Sequence, residues 1–417
     1  MLVFRNLNLA LYPKLIPSSE FANSRVALKQ SKYLRVALVA VCLNLICAGR
    51  VAGQRAAKTR DASRNSQLSQ NAARDRAIAS HFAPVFYQGL GDKKIQDYIT
   101  NFDFDGDWRG DNNWVNAEDD TRFARRAYVY YAVSETPTHF LVHYAVFHPR
   151  DYKGGQARGA ILSQIIREGA RRGGRYDPTG LSGEAVLAHE NDMEGCLVVA
   201  TKAGADFKQA RVVFVETLAH DRFNKYVTEA AAAAEGNKSA FDMVRIESGR
   251  PLLYVEPKGH GIYAYDAGEK QTPPDKLLVY KFAGRADDPL KSSGNEIGYE
   301  LLPLATTIWP RARAGVNQTF GAAYNYGKYT FSAAQTSTRA TKRVVTIGTL
   351  GAAFRGNKGA PNMARPPWGW FDRSDAGQLH GEWFFDPAAT VKRHFKLDDT
   401  FSVAYTHAPF LSLVRKL

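Results

Sequence analysis

The chain has 417 residues, 45% of them hydrophobic and 12% aromatic, with 34 glycines, 18 prolines and only three cysteines. That balance excludes a disordered chain and a disulfide scaffold. The formal net charge is +14, yet there is no zinc-finger spacing and no RNP-type aromatic motif, so no nucleic-acid partner is expected.

Lys29, Lys32 and Arg35 precede the apolar run 36–48, and the small residues Ala48, Gly49, Ala52 and Gly53 close it. A basic flank, a short apolar core and a small-residue exit make a secretory signal, with a secreted or periplasmic destination. The run is too short for a comfortable membrane span. Residues 1–53 therefore read as leader and signal peptide, with cleavage expected between Ala48 and Gly53. The remaining chain has 48 basic and 40 acidic residues, an excess that suits a membrane surface, a lipid headgroup or an acidic glycan. Cys42 and Cys47 fall inside the signal, which leaves Cys196 as a small core residue.

Residues 54–78 are polar and lack apolar periodicity, so they read as a linker, either a tether or a frayed helix. Order is expected from Ala79. Strands are expected at Ala127–Val133, Thr138–Phe147, Gly195–Thr201, Arg211–Thr217, Leu252–Glu256 and Gly261–Tyr265, with hairpin punctuation at Ser134-Glu135-Thr136-Pro137. Helical inserts are expected at Ala160–Arg171, followed by the turn Arg172-Gly173-Gly174-Arg175, and at Lys225–Glu235. The spacing predicts a mainly β fold, an antiparallel β-sandwich over 79–270. Beyond it, 271–417 reads as a β-rich extension with strands at Lys276–Phe282, Ile297–Pro303 and Arg343–Leu350. Its aromatic clusters around Trp368-Gly369-Trp370-Phe371 and Trp383-Phe384-Phe385 suggest an irregular wrap packed on the core.

The stretch His189-Glu190-Asn191-Asp192-Met193-Glu194 opens into the apolar run Cys196–Ala200. Carboxylates at the edge of an apolar core are costly unless a cation or hydrogen bonds compensate. On a strand, Asp192 and Glu194 share a face, and His189 joins them if the chain bends just before the strand. The pattern reads as a His-x-x-Asp-x-Glu cation site at a loop-to-strand junction, or as a hydrogen-bonded polar cluster without metal. Phe147-His148-Pro149-Arg150-Asp151 follows a strong strand pattern, and Asp151 stands where the strand ends and a loop begins, a position suited to a rigidly held ligand. Asp103, Asp105 and Asp107 resemble the start of a calcium loop with Gly106 at its sixth position, but position 12 is Asn112. They read either as a second metal or ligand site or as a turn whose carboxylates accept backbone hydrogen bonds. His260, between Gly259 and Gly261, is a candidate for lining the same cleft, together with Glu190 and Tyr263.

Together these motifs resemble the necrosis- and ethylene-inducing-like (NLP) proteins and a vacuolar-protein-sorting-related family with the same core motif. The hallmark G-H-R-H-D-W-E is similar to Ala188-His189-Glu190-Asn191-Asp192-Met193-Glu194, and an aromatic-Pro-Lys-Asp element is similar to Phe147-His148-Pro149-Arg150-Asp151. The sorting relatives also resemble this chain at Phe82-Ala83-Pro84-Val85 and Gly259-His260-Gly261-Ile262-Tyr263. The resemblance spans roughly 80–266. It implies a divalent cation held by Asp151, His189, Asp192 and Glu194 in a shallow cavity. Three carboxylates and one imidazole suit Ca²⁺, Mg²⁺ or Mn²⁺. Three functions are open: a secreted module binding a glycan or lipid headgroup through the cation, a metal-dependent hydrolase of a phosphodiester, ester or glycoside with Glu190 or His260 as general base, or a structural ion that pins loops together while function lies on another surface.

Overall fold

Runs of β-branched and aromatic residues favour a pleated, buried surface, and most of those in this chain fold as strands. The computed structural model describes residues 70–152 and 188–410, apart from 205, 235–240, 267–271, 314–317, 334–340, 360–362 and 376–378. Its first strands are β1 (Val85–Gly89), β2 (Tyr128–Glu135), β3 (His139–Asp151), β4 (His189–Thr201), β5 (Arg211–Ala219) and β6 (Arg222–Val227). There follow β7 (Asp242–Met243), β8 (Ile246–Glu247), β9 (Arg250–Val255), β10 (Ile262–Ala264), β11 (Leu277–Phe282) and β12 (Glu296–Pro303). All lie in one compact unit, Ala73–Leu417. Among the described residues, no helix is long and apolar enough to cross a membrane.

These strands form one 12-stranded sheet in the order β10-β9-β1-β11-β12-β2-β3-β4-β5-β6-β7, with β8 on β9. The mainly β class is as expected, but the antiparallel sandwich is corrected: the main sheet is mixed. β1 runs parallel to β9, β11 to β12, β12 to β2 and β6 to β7. Parallel neighbours need crossover connections, and β11 and β12, from beyond residue 270, lie between β1 and β2. The sheet curls on itself. Its β10 edge returns to β5, where Thr217 Oγ1 donates to the Ile262 carbonyl at 2.6 Å.

Alternation along the strands separates two cores. Phe140, Val142, Tyr144 and Val146 of β3 join Cys196 and Val198 of β4 in one. Leu141, Ala145 and Phe147 join Met193, Leu197 and Val199 in the other. The second core is covered by the C-terminal segment, whose Trp368, Trp370 and Trp383 are fully buried. There are two smaller sheets: β13 (Phe320–Asn325) with β16 (Thr349–Phe354), and β14 (Lys328–Ala333) between β15 (Thr341–Thr346) and β17 (Ala404–Tyr405). The strand expected at 343–350 is thus divided, by a turn at Gly348 with φ 77°. The helix expected at Lys225–Glu235 is shorter, because Lys225–Val227 belong to β6 and the helix covers Glu229–Ala234. The expected helix at Ala160–Arg171 and the turn after it lie outside the described residues. Within 54–78, the described residues 70–78 are helical.

Gly195 shows how the C-terminal layer seats on β4. A Cβ there would lie 2.3 Å from Trp370 Cη2 and 2.5 Å from the Tyr144 carbonyl oxygen. The missing side chain lets Trp370 lie across the strand and donate its Nε1–H to the Met193 carbonyl at 2.9 Å. Gly195→Ala is therefore expected to displace Trp370 and destabilise the fold by about 1–3 kcal/mol. Denaturant unfolding followed by tryptophan fluorescence checks this, and an unchanged midpoint would contradict the packing described.

Candidate functional site

β3 and β4 pair antiparallel from His139↔Thr201 to Asp151↔His189. The whole His-x-x-Asp-x-Glu motif therefore lies on a strand, and its expected place at a loop-to-strand junction is corrected. The bend that brings His189 beside Asp192 and Glu194 lies inside the strand, at Asn191, whose φ is 62°. Asn can occupy this left-handed region, and here its side chain is fixed by Gly110, Arg355 and Asn113.

Asp151, His189, Asp192 and Glu194 all line one cavity of about 480 Å³. His189 Nδ1 donates to the Asn191 carbonyl at 2.6 Å, so its tautomer leaves a lone pair on Nε2. That atom stands 3.8 Å from Asp151 Oδ2. The separation is too long for a hydrogen bond, and short enough for both atoms to reach one ion at about 2.0–2.6 Å. Glu194 Oε1 accepts the His220 N–H at 3.0 Å, while its Oε2 is buried without a hydrogen-bond partner. Burial first, and then the charge of Asp192, hold the Glu194 carboxyl well above the usual glutamate range. This donor set fits a hard divalent cation, which would supply the missing partner.

Beneath the cavity, His260 is fully buried between two carboxylates. Its Nδ1 donates to Asp192 Oδ2 at 2.9 Å and its Nε2 to Asp97 Oδ1 at 3.2 Å. Burial opposes the imidazolium, but these two bonds outweigh it and lift the pKa to about 10. Asp97 also accepts from the backbone of Gly91 and Lys258 and from the Tyr152 hydroxyl. His148 stacks on His260 with ring centroids 3.6 Å apart, and burial followed by the His260 charge keeps it neutral. Ligand atoms of His148, Asp192 and His260 lie within 4.8 Å of one another, so this buried trio has the spacing to hold an ion. With both ring nitrogens of His260 donating to carboxylates, its role in this arrangement is to orient Asp192. The four cavity-lining groups are spread more widely, Asp192 being drawn to His260 and Glu194 to His220.

Other sequence candidates stand elsewhere. Glu190 faces a neighbouring cavity of about 340 Å³, and its carboxylate accepts the backbone N–H groups of Trp114, Asn357 and Lys358. Tyr263 pairs with Tyr254 on β9 and is not part of the main cavity's lining. Asp103, Asp105 and Asp107 lie in a turn with Gly106 at φ 90°. Asp103 accepts from Asn101, Asp105 from Asn116 and the Asp107 N–H, and Asp107 from Asn112 and the Arg109 N–H. Those bonds match the turn reading of this stretch. The sequence reading missed Asp97, His220, Arg365, Tyr324 and His380, all brought to or beneath the cavity by tertiary folding. His220 carried one local signal: it occupies a two-residue turn between β5 and β6 with φ 62°, and its Nε2 meets Glu256 at 2.6 Å.

No protein-family profile and no curated protein matches the chain. Partial likeness to solved structures exists. One, described as "Toxin fold for microbial attack and plant defense", is 15% identical over 47% of this chain and 71% of that one, with a TM-score of 0.24. "NLPPya in complex with glucosamine" is 14% identical over 48% of this chain and 74% of that one, with a TM-score of 0.26. Necrosis and Ethylene inducing Protein 2 from the causal agent of cocoa's Witches Broom disease is 13% identical over 55% and 73%, with a TM-score of 0.25.

The raised Glu194 carboxyl has a stability consequence. Its native state holds the proton more tightly than the unfolded chain, so its contribution is complete below the ordinary value of 4.5 and is lost as pH rises through the native value. In chelator, Glu194→Gln should therefore lose less stability than wild type between about pH 5 and about pH 8. The same variant should bind Mn²⁺ at least about tenfold more weakly. Thermal unfolding at both pH values and calorimetric titration test the pair, and identical pH slopes would count against a buried Glu194 carboxyl that keeps its proton above the usual range.

Proposed function

We propose that the chain is an exported protein that binds one divalent cation, Ca²⁺, Mg²⁺ or Mn²⁺, through Asp151, His189, Asp192 and Glu194. The cation in turn holds a glycan or lipid headgroup in the cavity of about 480 Å³. The observation that carries this reading is the unpartnered, buried Oε2 of Glu194 in a cavity that also receives the lone pair of His189 Nε2 and the Asp151 carboxylate. A buried carboxylate oxygen without a donor is costly, and a shared cation removes that cost for several acids at once. Export is supported by the basic flank, apolar run and small-residue exit at 29–53. The cavity's size suits a small ligand or the terminal units of a larger one.

Hydrolysis through the same ion has less support. Of its two candidate general bases, Glu190 is occupied by three backbone donors, and His260 donates from both nitrogens. Neither lines the cavity.

Calorimetry should find one Mn²⁺ per chain, and an anomalous-scattering map of crystals soaked in Mn²⁺ should put its peak between Asp151 and His189. Asp151→Asn should weaken that binding by about tenfold or more. Flotation with glycolipid vesicles should show binding that chelator abolishes, with no turnover of phosphodiester, ester or glycoside substrates. A map without a peak in this cavity sinks the cation reading, and chelator-sensitive turnover sinks the binding-module reading.

A further inference from the structure

The C-terminal segment contributes Tyr324, Arg365, Phe371, Arg373 and His380 to the lining of the cavity that the acidic side chains also line. Arg365 is half-buried. Its guanidinium carbon lies 4.6 Å from the Phe371 ring centroid, and its Nη2 donates to the His220 carbonyl. These contacts fix the planar fork, yet Arg365 forms no salt bridge among the described residues. The acids whose charges reach it are Glu194, Asp221 and Asp192. Asp221 is already paired with Arg373 at 2.6 Å, and Asp192 is bonded to His260. A divalent ion on Glu194 and Asp192 would leave Arg365 without an acid to balance it. Beside it, Tyr324 and His380 stack with centroids 4.1 Å apart and planes at 26°, and His380 Nε2 is buried without a hydrogen-bond partner.

We infer that this cavity selects a sugar carrying a carboxylate or phosphate group. The inference rests on the cation reading above. The anionic group is held between the ion and the Arg365 fork, which matches such oxygens bidentately. The sugar ring lies over the Tyr324–His380 platform, and His380 Nε2 serves a hydroxyl. An ammonium group in that place would meet both the ion and the guanidinium and be repelled. A neutral sugar would leave Arg365 desolvated and uncompensated.

The test uses the full chain, titrated first with Mn²⁺ alone and then, with and without Mn²⁺, with glucuronate, glucose 6-phosphate, glucose, glucosamine and inorganic phosphate. Glucuronate or glucose 6-phosphate should bind at least about tenfold more tightly than glucose or glucosamine, one good charged hydrogen-bonding pair being worth roughly that factor. Arg365→Gln should abolish the preference while Mn²⁺ binding stays equal or tightens. Arg365→Lys should restore part of the preference, which separates recognition from a folding defect. Tyr324→Ala should weaken glucose 6-phosphate but not phosphate. Equal binding of glucosamine, or a preference that survives Arg365→Gln, overturns the inference. Phosphate binding as tightly as its sugar ester overturns the sugar platform. If wild type binds no Mn²⁺, the cation reading fails by itself, and the metal-free titrations of wild type and Arg365→Gln still decide this inference.

Discussion

The antiparallel ladder between β3 and β4 is the constraint on which the rest of the molecule depends. Its register pairs Asp151 with His189, His148 with Asp192 and Val146 with Glu194. A slip by one residue would send every one of these side chains to the opposite face, so the site and the two cores are fixed together. Val142, Tyr144, Cys196 and Val198 anchor one face of the ladder, and Leu141, Ala145, Leu197 and Val199 the other. The Asn191 kink then interrupts the alternation locally. Arg150 and Glu190, opposite one another in the ladder, are secured elsewhere: Arg150 stacks on Trp114, and Glu190 takes the backbone of 357–358.

Concentrating acids at such a place creates an electrostatic problem that the fold answers at two depths. At the lower depth the answer is built in, since the His260 imidazolium lies between Asp192 and Asp97 with every nitrogen used. Asp97 is in turn saturated by two backbone N–H groups and the Tyr152 hydroxyl, so this charge pair carries few unmet polar atoms, as a buried pair must. At the upper depth the compensation is incomplete. Glu194 has one donor for two oxygens, and Arg365 influences it only through space. The curl of the sheet connects the two depths: β10 must return to β5 for His260, just before β10, to reach β4.

Much of this was legible in the sequence where the signal is local. Strands β2, β3, β5, β9, β11 and β12 coincide within a few residues with apolar runs, and the i, i+2 spacing of Asp192 and Glu194 gave their common face. The start of β4 was hidden because its first six residues, His189–Glu194, are mostly polar; their partners are tertiary, so propensity could not mark them as strand. The sheet order was hidden for a related reason. Residues 277–303 look like a separate stretch in sequence, while antiparallel pairing of β11 with β1 and parallel pairing of β12 with β2 insert them between β1 and β2. Asp97 and Arg365 carry no spacing signal at all, being distant in sequence from the motif they serve. The acidic turn at 103–107 shows the converse: a good local pattern whose carboxylates are used by its own loop and by Asn112 and Asn116.

The C-terminal segment brings Arg365, Arg373 and His380 to the cavity. Its tryptophans seat on β4 and β5 through named contacts: Trp370 over Gly195 with its N–H on Met193, and Trp383 with its N–H on the fully buried Glu216 at 2.6 Å. Glu216 also meets His394 at 2.5 Å, and His394 meets Asp375 at 3.0 Å, so the layer is pinned on either side of the stretch that bears Arg373 and His380. A wall held this firmly can present a guanidinium and an aromatic pair to a ligand without a large ordering cost. In the proposed function, the acids of β3 and β4 would hold the ion, and the C-terminal residues lining the same cavity would set the charge and shape of the ligand on it.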